Sequence, residues 1–310
     1  MGILVLTHPQ PAEPFVEALR AEIPGENLYL DTASADLHAD EVEAVLLWRL
    51  EPGLLSRYPA LQFVAASAAG VDKILGPHLP EQIPLTRTVD PGQNLQIAQY
   101  VCATVLRWVR QQGLYDAQQK DRIWRRHAIA EPASVRVGLL GLGESGQVVA
   151  QALLALGLQV CAWTRTPRQV DGVDSFDGDA GLRAMLPSCQ VLVCLLPLTP
   201  ATQGIVNAEL LRAMPRGAYL INVARGQHVD EAALMAALES GHLAGAALDV
   251  QSQEPLPPEH PLWRTPNLLL TPHVASMPTP RVVARQLAEN LQRARRGQAL
   301  LRVVDRSRGY

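Results

Sequence analysis

The stretch Gly141-Leu142-Gly143-Glu144-Ser145-Gly146 decides the fold of this chain. It follows an apolar run at residues 135–140, which has the character of a buried strand, and it opens a helical pattern that ends at Gly157. A second apolar run follows at residues 158–163. This order of strand, glycine turn, helix and strand is the context in which a Gly-x-Gly-x-x-Gly motif binds a dinucleotide. The alternative is a tight turn that binds no ligand.

Each glycine of this motif has a physical role in dinucleotide binding. Gly141 permits the tight turn, Gly143 lets the backbone approach a pyrophosphate, and Gly146 lets the helix pack closely on the strand. Glu144 and Ser145 open the helix, whose first N–H groups and partial positive charge face the phosphates. We therefore predict that the cofactor phosphates bind at this turn.

The end of the second strand predicts which dinucleotide binds. An NAD-binding unit usually carries Asp or Glu about 20 residues after the glycines, where it binds the ribose 2′-hydroxyl. This chain instead has Trp163-Thr164-Arg165-Thr166-Pro167-Arg168, and no carboxylate follows before Asp171. Guanidinium groups suit a 2′-phosphate, so we predict that Thr164, Arg165, Thr166 and Arg168 bind NADPH in preference to NADH. The alternative is a solvated basic loop.

The bulk properties exclude several classes of protein. A chain of 310 residues is long enough for two domains, and 48% hydrophobic with 18% charged residues is typical of a globular enzyme. The net charge of −3 gives no bias toward nucleic acid or anionic membranes, and no apolar run approaches the roughly 20 residues that span a bilayer. Residues 1–7 are expected to form a first strand, not a signal peptide. The four cysteines indicate buried free thiols in a reducing cytoplasm, and no metal cluster stands out.

Strands and helices alternate along the whole chain, which predicts an α/β fold of doubly wound parallel sheets. A long apolar helix at residues 95–110 is expected to link two domains. Asn207 and Asp230 are predicted caps of the helices that follow them, and a last helix is expected at residues 280–296. The other predicted elements are a helix at 13–21 and strands at 2–6, 44–47, 62–66, 191–196, 219–223, 246–250 and 268–271.

Two further segments are candidate contact regions. The loop Ser67-Ala68-Ala69-Gly70-Val71-Asp72 follows a strand, and small residues there let backbone N–H groups face a ligand, although a plain tight turn has the same composition. Residues 113–134 are polar and aromatic, and they form either a subunit contact or a wrapped connection. Trp124 is the residue of that segment most typical of an interface anchor.

Arg225, Glu254 and His273 each lie just past the end of a predicted strand in the second half of the chain. The carboxyl ends of parallel strands face the crevice in which a dinucleotide binds. Reduction of a carbonyl needs a proton donor, which suits His273, and a carboxylate that orients the imidazole, which suits Glu254. It also needs a cation that anchors the substrate and polarises its oxygen, which suits Arg225. Taken singly, each of these residues is more often a surface, loop or turn residue.

Taken together, these motifs resemble the D-isomer-specific 2-hydroxyacid dehydrogenases over nearly the whole chain. The resemblance rests on Val223-Ala224-Arg225-Gly226, on Leu248-Asp249-Val250 leading to Glu254-Pro255-Leu256, and on Thr271-Pro272-His273-Val274-Ala275, in that order after the glycine turn. Within that family the chain looks most like the bacterial glyoxylate/hydroxypyruvate reductase A group. The NADP-type loop after Trp163, Trp48 and the tail from Val304 to Tyr310 fit that group. Gln251 departs from the family, which often has an aromatic residue there, and this bears on local packing and substrate preference.

The resemblance implies a Rossmann cofactor domain, residues 95–276, inserted into a flavodoxin-like substrate domain, residues 1–94 plus 277–310. It implies that Arg225 binds the 2-oxo acid, that His273 is the general acid paired with Glu254, and that the backbone of Gly70 and Val71 holds the substrate carboxylate. It also implies a homodimer with Trp124 near the partner's active site, and it makes Trp48 a candidate wall of a small pocket or else a core residue. The further cofactor contacts that it implies are Leu196, Pro197, Val223, Ala224, Asp249, His273 and Ala275.

The sequence thus predicts an NADPH-dependent cytoplasmic oxidoreductase that reduces glyoxylate to glycolate and hydroxypyruvate to D-glycerate. Its reductive rate should fall as rising pH removes the proton from His273. Three alternatives stay open: a dehydrogenase for a bulkier 2-oxo acid, an enzyme acting on phosphonate-like oxyanions, and a non-enzymatic protein that senses NAD(P)H. A nucleotide-binding methyltransferase also uses a glycine turn, but the arginines and the three strand-end residues argue against it.

Overall fold

The computed structural model describes residues 2–30, 32 and 37–306. The chain divides into two compact units, residues 1–93 with 277–310 and residues 94–276. Each unit is built on one parallel sheet, so the predicted α/β fold with two parallel sheets is confirmed. Of the tail that carries part of the family resemblance, residues 307–310 lie outside the described residues. Across the described ranges, no helix is long and apolar enough to cross a membrane.

The sheet of the first unit has the strand order β2-β1-β3-β4-β5 with every pairing parallel, which is the flavodoxin-like order. Its helices are α1, Glu13–Glu22, and α8, Pro280–Arg295. Helix α2, Pro91–Val109, begins in this unit and continues into the second. The strands are β1 Gly2–Leu6, β2 Asn27–Tyr29, β3 Val42–Leu47, β4 Phe63–Ala66 and β5 Leu85–Thr86.

Successive residues of the first unit's strands face opposite sides of the sheet and supply two cores. On β1, Ile3 and Val5 belong to the core that contains α1 and α8, whereas Leu4 belongs to the core on the other face. Residues Val283, Leu287 and Leu291 form the buried face of α8, as the helical spacing predicts. Burial on both sides explains why these strands are continuous apolar runs instead of alternating ones.

The sheet of the second unit has the order β12-β11-β10-β9-β6-β7-β8, and every pairing is again parallel. The order reverses between β6 and β9, which is the switch point at which such folds bind dinucleotides. The strands are β6 Arg136–Leu140, β7 Gln159–Thr164, β8 Val173–Asp177, β9 Val191–Cys194, β10 Ala218–Asn222, β11 Leu243–Leu248 and β12 Leu268–Leu270.

Helices cover both faces of this second sheet. The predicted capping residues lie at the termini of two of them. Asn207 accepts hydrogen bonds from the backbone of Glu209 and Leu210, and Asp230 accepts one from Ala233. Gly241 follows the second of these helices with φ of +65°, a conformation that favours glycine. The helices are α3 Gln112–Lys120, α4 Glu144–Ala155, α5 Gly178–Met185, α6 Ala208–Ala213 and α7 Glu231–Glu239.

Several details differ from the sequence predictions. The helical pattern after the glycine turn extends to Gly157, but α4 ends at Ala155 and Leu156 is 40% exposed. The helix predicted at residues 95–110 runs instead from Pro91 to Val109, and its Leu95 is 55% exposed. Of the four cysteines, which are all free thiols, Cys102 is only partly buried. Strands β2, β5 and β8 and helix α5 were not predicted, because these elements are short or carry polar, exposed residues.

Candidate active site

The glycine turn between β6 and α4 has the shape that its sequence indicates. Gly141 has φ of +106°, which L-residues with side chains rarely adopt. A Cβ on Gly146 would lie 2.4 Å from the carbonyl oxygen of Gly141, so only glycine permits this close packing. A Cβ on Gly143 would meet nothing within 4 Å, which leaves its backbone open to approach. Ser145 donates a hydrogen bond to Asn94 over 2.6 Å and thereby ties the start of α4 to helix α2.

The basic loop after β7 lies against this turn. Arg168 donates from Nη1 to the carbonyl oxygen of Leu142 over 2.5 Å, which fixes its guanidinium beside the glycines. Arg165, Thr166 and Arg168 are exposed, and Thr164 donates to the carbonyl of Thr166 over 2.7 Å. Two cations and two hydroxyl groups at the end of β7 suit a phosphate, whereas a ribose 2′-hydroxyl there would call for a carboxylate.

The loop after β9 is held against the turn that follows β10. Leu196 lies 3.4 Å from the position of a Cβ on Gly141, so the loop borders the glycine turn. The carbonyl oxygen of Pro197 accepts hydrogen bonds from Thr202 over 2.7 Å and from Nε2 of His228 over 3.3 Å. His228 is fully buried, and its Nδ1 accepts from the backbone N–H of Arg225 over 3.2 Å. This imidazole therefore connects Pro197 to the residue predicted to bind substrate.

Asn222 closes the turn that presents Arg225. Its buried side chain accepts from the backbone N–H of Ala224 over 3.1 Å and donates to the carbonyl of Arg225 over 2.8 Å. The Arg225 guanidinium donates to the carbonyl of Ala224 over 2.7 Å and is partly exposed, with Val223 beside it in the same turn. Sequence reasoning missed Asn222 and His228. The signal that could have found Asn222 is a polar residue at the end of an apolar strand.

Asp249 holds the loop that carries His273. Its fully buried carboxylate accepts from the backbone N–H of Val274 over 2.9 Å and of Ala275 over 2.8 Å, and from the Thr271 hydroxyl over 2.6 Å. The backbone N–H of His273 donates to the carbonyl of Asp249 over 2.8 Å, and His273 has φ of +57°, a left-handed conformation. A non-glycine residue persists in that conformation only where its surroundings hold it there.

A partly buried tyrosine, Tyr100, supports Thr271 from helix α2. The Tyr100 hydroxyl lies 2.8 Å from the Thr271 hydroxyl, which donates to Asp249, so Tyr100 is the donor of the two. Burial raises the pKa of Tyr100 and keeps this phenol protonated. This chain of hydrogen bonds was also missed by sequence reasoning, because it joins residues 171 positions apart.

His273 and Glu254 form the pair that the sequence predicts. Nδ1 of His273 lies 3.0 Å from Oε2 of Glu254, and the two side chains are 22% and 18% exposed. A carboxylate can only accept, so Nδ1 carries the hydrogen of this contact. The backbone N–H of Gln251 donates to Oε1 of Glu254 over 3.2 Å, and the Gln251 side chain donates to the carbonyl of Leu248 over 3.1 Å. Gln251, where the family often has an aromatic residue, thus anchors the Glu254 loop to β11.

The remaining predicted residues lie elsewhere in the chain. In the first unit, Trp48 is partly buried with the Lys73 ammonium 5.4 Å from its ring centre, Val71 has its side chain in the core, and Gly70 is exposed. Among the described residues, neither the Gly70 nor the Val71 backbone N–H donates a hydrogen bond to protein. In the second unit, Trp124 lies beyond α3 and is 97% exposed.

The sequence of this chain is similar to a known protein family and to individual proteins in it. A family model described as "D-isomer specific 2-hydroxyacid dehydrogenase, NAD binding domain" matches residues 102–275. Glyoxylate/hydroxypyruvate reductase A of Yersinia enterocolitica is 38% identical in an alignment 309 positions long that covers 96% of this chain and 96% of that protein.

Two solved structures are similar over the full chain. A D-isomer specific 2-hydroxyacid dehydrogenase from Xanthobacter autotrophicus, in complex with NADPH and MES, has a TM-score of 0.88 and 40% identity, covering 100% of this chain and 99% of that one. An NADPH-dependent glyoxylate/hydroxypyruvate reductase from Sinorhizobium meliloti, in complex with NADP and sulfate, has a TM-score of 0.90 and 36% identity, covering 100% of both chains.

Proposed function

Because this chain belongs to the D-isomer-specific 2-hydroxyacid dehydrogenase family, and so is an oxidoreductase acting on CH–OH groups, we propose that it reduces small 2-oxo acids with NADPH. Glyoxylate and hydroxypyruvate are the proposed substrates, and glycolate and D-glycerate the products. The observation that carries the proposal is the His273–Glu254 pair, 3.0 Å apart, in the same unit as the glycine turn and Arg225. The names of the Yersinia and Sinorhizobium relatives support the choice of substrates.

In this proposal Arg225, Glu254 and His273 each have one role in the reduction. NADPH, when bound, supplies the hydride. Arg225 binds the carboxylate and carbonyl oxygen of the 2-oxo acid and polarises the carbonyl. His273 gives a proton to the developing alkoxide from Nε2, because its Nδ1 is bound to Glu254. Glu254 orients the imidazole through its contact with Nδ1, and the left-handed backbone at His273 keeps the ring at the strand end.

The preference for NADPH is proposed from the loop after β7. The residues present fit a 2′-phosphate, since Arg165 and Arg168 are exposed beside the glycine turn and the first carboxylate is Asp171. The pyrophosphate would bind the open backbone of Gly143 and the N-terminus of α4, which opens with Glu144 and Ser145. The NADPH and NADP in the two solved relatives support the same choice.

We propose that the first unit contacts the substrate carboxylate and that the second unit binds the cofactor and presents Arg225 and His273. Exposed Gly70 and the unpaired N–H groups of Gly70 and Val71 suit a carboxylate, and the Trp48 ring suits one wall of a small pocket. We also propose a homodimer, because Ile123, Trp124 and Ile129 are exposed apolar residues in one short segment. We further propose a cytoplasmic location, which the four free thiols support.

The direct test measures oxidation of NADPH and NADH, by loss of reduced-nicotinamide absorbance, with glyoxylate, hydroxypyruvate, pyruvate and phenylpyruvate. We expect turnover with NADPH and with glyoxylate and hydroxypyruvate. His273→Gln should lower kcat by about 10²–10⁴-fold, the usual contribution of a general acid. His78→Gln, at an exposed position in the other unit, is the matched control. Turnover only with phenylpyruvate would move the assignment to bulkier acids, and NADPH binding without any turnover would favour a sensing protein.

A further inference from the structure

We propose that Glu231, the first residue of α7, is a positioning residue that fixes the loop carrying Glu254 and thereby aligns the acid pair with Arg225. This inference rests on the proposed roles of Arg225, Glu254 and His273. It concerns a residue that touches none of the reacting groups, so its effect passes entirely through the loop of residues 251–254.

The contacts of Glu231 converge on Ser252. Its Oε1 accepts from the Ser252 backbone N–H over 2.9 Å and from the Ser252 hydroxyl over 2.8 Å. Its Oε2 lies 3.6 Å from Nε2 of His260. The His260 Nδ1 accepts from the backbone N–H of Leu262, so Nε2 carries the ring hydrogen and faces the carboxylate. The side chain of Glu231 is only 13% exposed, although this residue is the first of helix α7.

Glu231 is not needed to cap its own helix. Asp230 performs that task, with its side chain accepting from the backbone N–H of Ala233 over 3.0 Å. The Glu231 carboxylate is therefore committed to the loop instead of to the first turn of α7. A carboxylate that receives two hydrogen bonds from one residue holds that residue more firmly than a neutral acceptor would.

The opposite side of the same loop is held by the Arg225 turn. Gln227 donates from its side chain to the carbonyl of Ser252 over 3.1 Å. The position of a Cβ on Gly226 lies 1.9 Å from the carbonyl carbon of Gln251, so the two backbones are in direct contact there. Ser252 is therefore bound on its N–H, hydroxyl and carbonyl by the segment that runs from Arg225 to Glu231.

The held loop leads directly to the acid pair. The backbone N–H of Gln251 donates to Oε1 of Glu254 over 3.2 Å, and Oε2 of Glu254 lies 3.0 Å from Nδ1 of His273. Displacement of Ser252 moves the adjoining Gln251 peptide, and with it the group that fixes Glu254. Glu231 thus sets the distance between the substrate-binding turn and the proton donor.

The test compares Glu231→Ala, Glu231→Gln and Ser252→Ala with wild type, with Glu239→Ala at the exposed end of α7 as control. Glu231→Ala should lower kcat about tenfold and raise the KM for glyoxylate, since small misplacements of catalytic groups are costly. The KM for NADPH should stay unchanged in the Glu231 and Ser252 variants. The control Glu239→Ala should keep the wild-type melting temperature. Glu231→Gln keeps one oxygen that can accept both Ser252 hydrogens, so it should recover most of the loss.

Hydrogen exchange of the Gln251 and Ser252 amides provides a readout that needs no turnover. Both amides should exchange faster in Glu231→Ala than in Glu231→Gln. Unchanged exchange, or unchanged kcat in Glu231→Ala beside an inactive His273→Gln, would overturn the positioning role and leave the proposed function intact. An inactive wild type would instead remove the proposed function, while the exchange rates still decide whether Glu231 holds the loop. If Glu231→Ala does not fold, Ser252→Ala gives the same comparison with one hydrogen bond removed.

Discussion

The contact between the Arg225 turn and the Glu254 loop can be tested by adding one carbon atom. A Cβ at residue 226 would lie 1.9 Å from the carbonyl carbon of Gln251, 2.1 Å from its oxygen and 2.2 Å from the backbone nitrogen of Ser252. All three are backbone atoms, so no side-chain rotation relieves the overlap. Gly226→Ala therefore forces the two segments apart by about 1.5 Å before they reach the 3.4 Å of ordinary van der Waals contact.

A separation of that size lowers both the catalytic rate and the stability. A displacement of about 1 Å between catalytic groups costs about 10²-fold in rate, or about 2.7 kcal/mol of transition-state stabilisation. Overpacking of a core contact costs about 1–3 kcal/mol of folding free energy, which lowers the melting temperature by several degrees. We expect kcat/KM for glyoxylate to fall about 10²-fold, while affinity for NADPH, which depends on the glycine turn, is preserved.

Steady-state oxidation of NADPH gives kcat and KM, and a thermal melt shows that the variant is folded at the assay temperature. Gly25→Ala is the matched control, because a Cβ there would meet nothing within 4 Å. A Gly226→Ala enzyme with kcat/KM within about threefold of wild type would refute the claim that these two segments must stay in contact for catalysis.

Three further perturbations address the cofactor, the first unit and the oligomer. Replacing both Arg165 and Arg168 with Ala should weaken NADPH binding at least about tenfold and leave NADH binding unchanged, because each lost charged hydrogen bond costs about 1.5–3 kcal/mol. An equal loss of affinity for both cofactors would contradict a 2′-phosphate site. Arg295 binds Glu26 over 2.6 Å, and this hydrogen bond lowers the pKa of Glu26. The ion pair contributes about 1 kcal/mol of stability, which is complete above the ordinary glutamate pKa and is lost as pH falls through the lowered pKa of Glu26. The melting temperatures of wild type and Arg295→Gln should therefore converge in acid. A difference in melting temperature that is constant with pH would contradict this. Trp124→Ser should shift the proposed homodimer to monomer in light scattering at low concentration; an unchanged dimer mass would place the interface elsewhere, and a monomeric wild type would contradict the homodimer.

The sequence alone determined the class of fold and led to the proposed site residues. The order of β6, the glycine turn and α4 is a local pattern, in which each residue is fixed by its own backbone conformation or by its nearest neighbours. Arg225, Glu254 and His273 could be identified because each follows a strand that is readable from its apolar run. The caps Asn207 and Asp230 were readable for the same reason, since a cap acts within its own helix.

The tertiary structure alone decided how those residues are held. Asp249 binds the His273 loop across 25 positions of sequence, Tyr100 reaches Thr271 from helix α2, and Glu231 binds Ser252 from α7. None of these pairs leaves a periodic or local signal, because a hydrogen bond between distant side chains depends on how the strands are ordered in the sheet. Tertiary structure likewise decided the short strands β2 and β5, because their stability comes from pairing with β1 and β4 and hardly at all from their own residues.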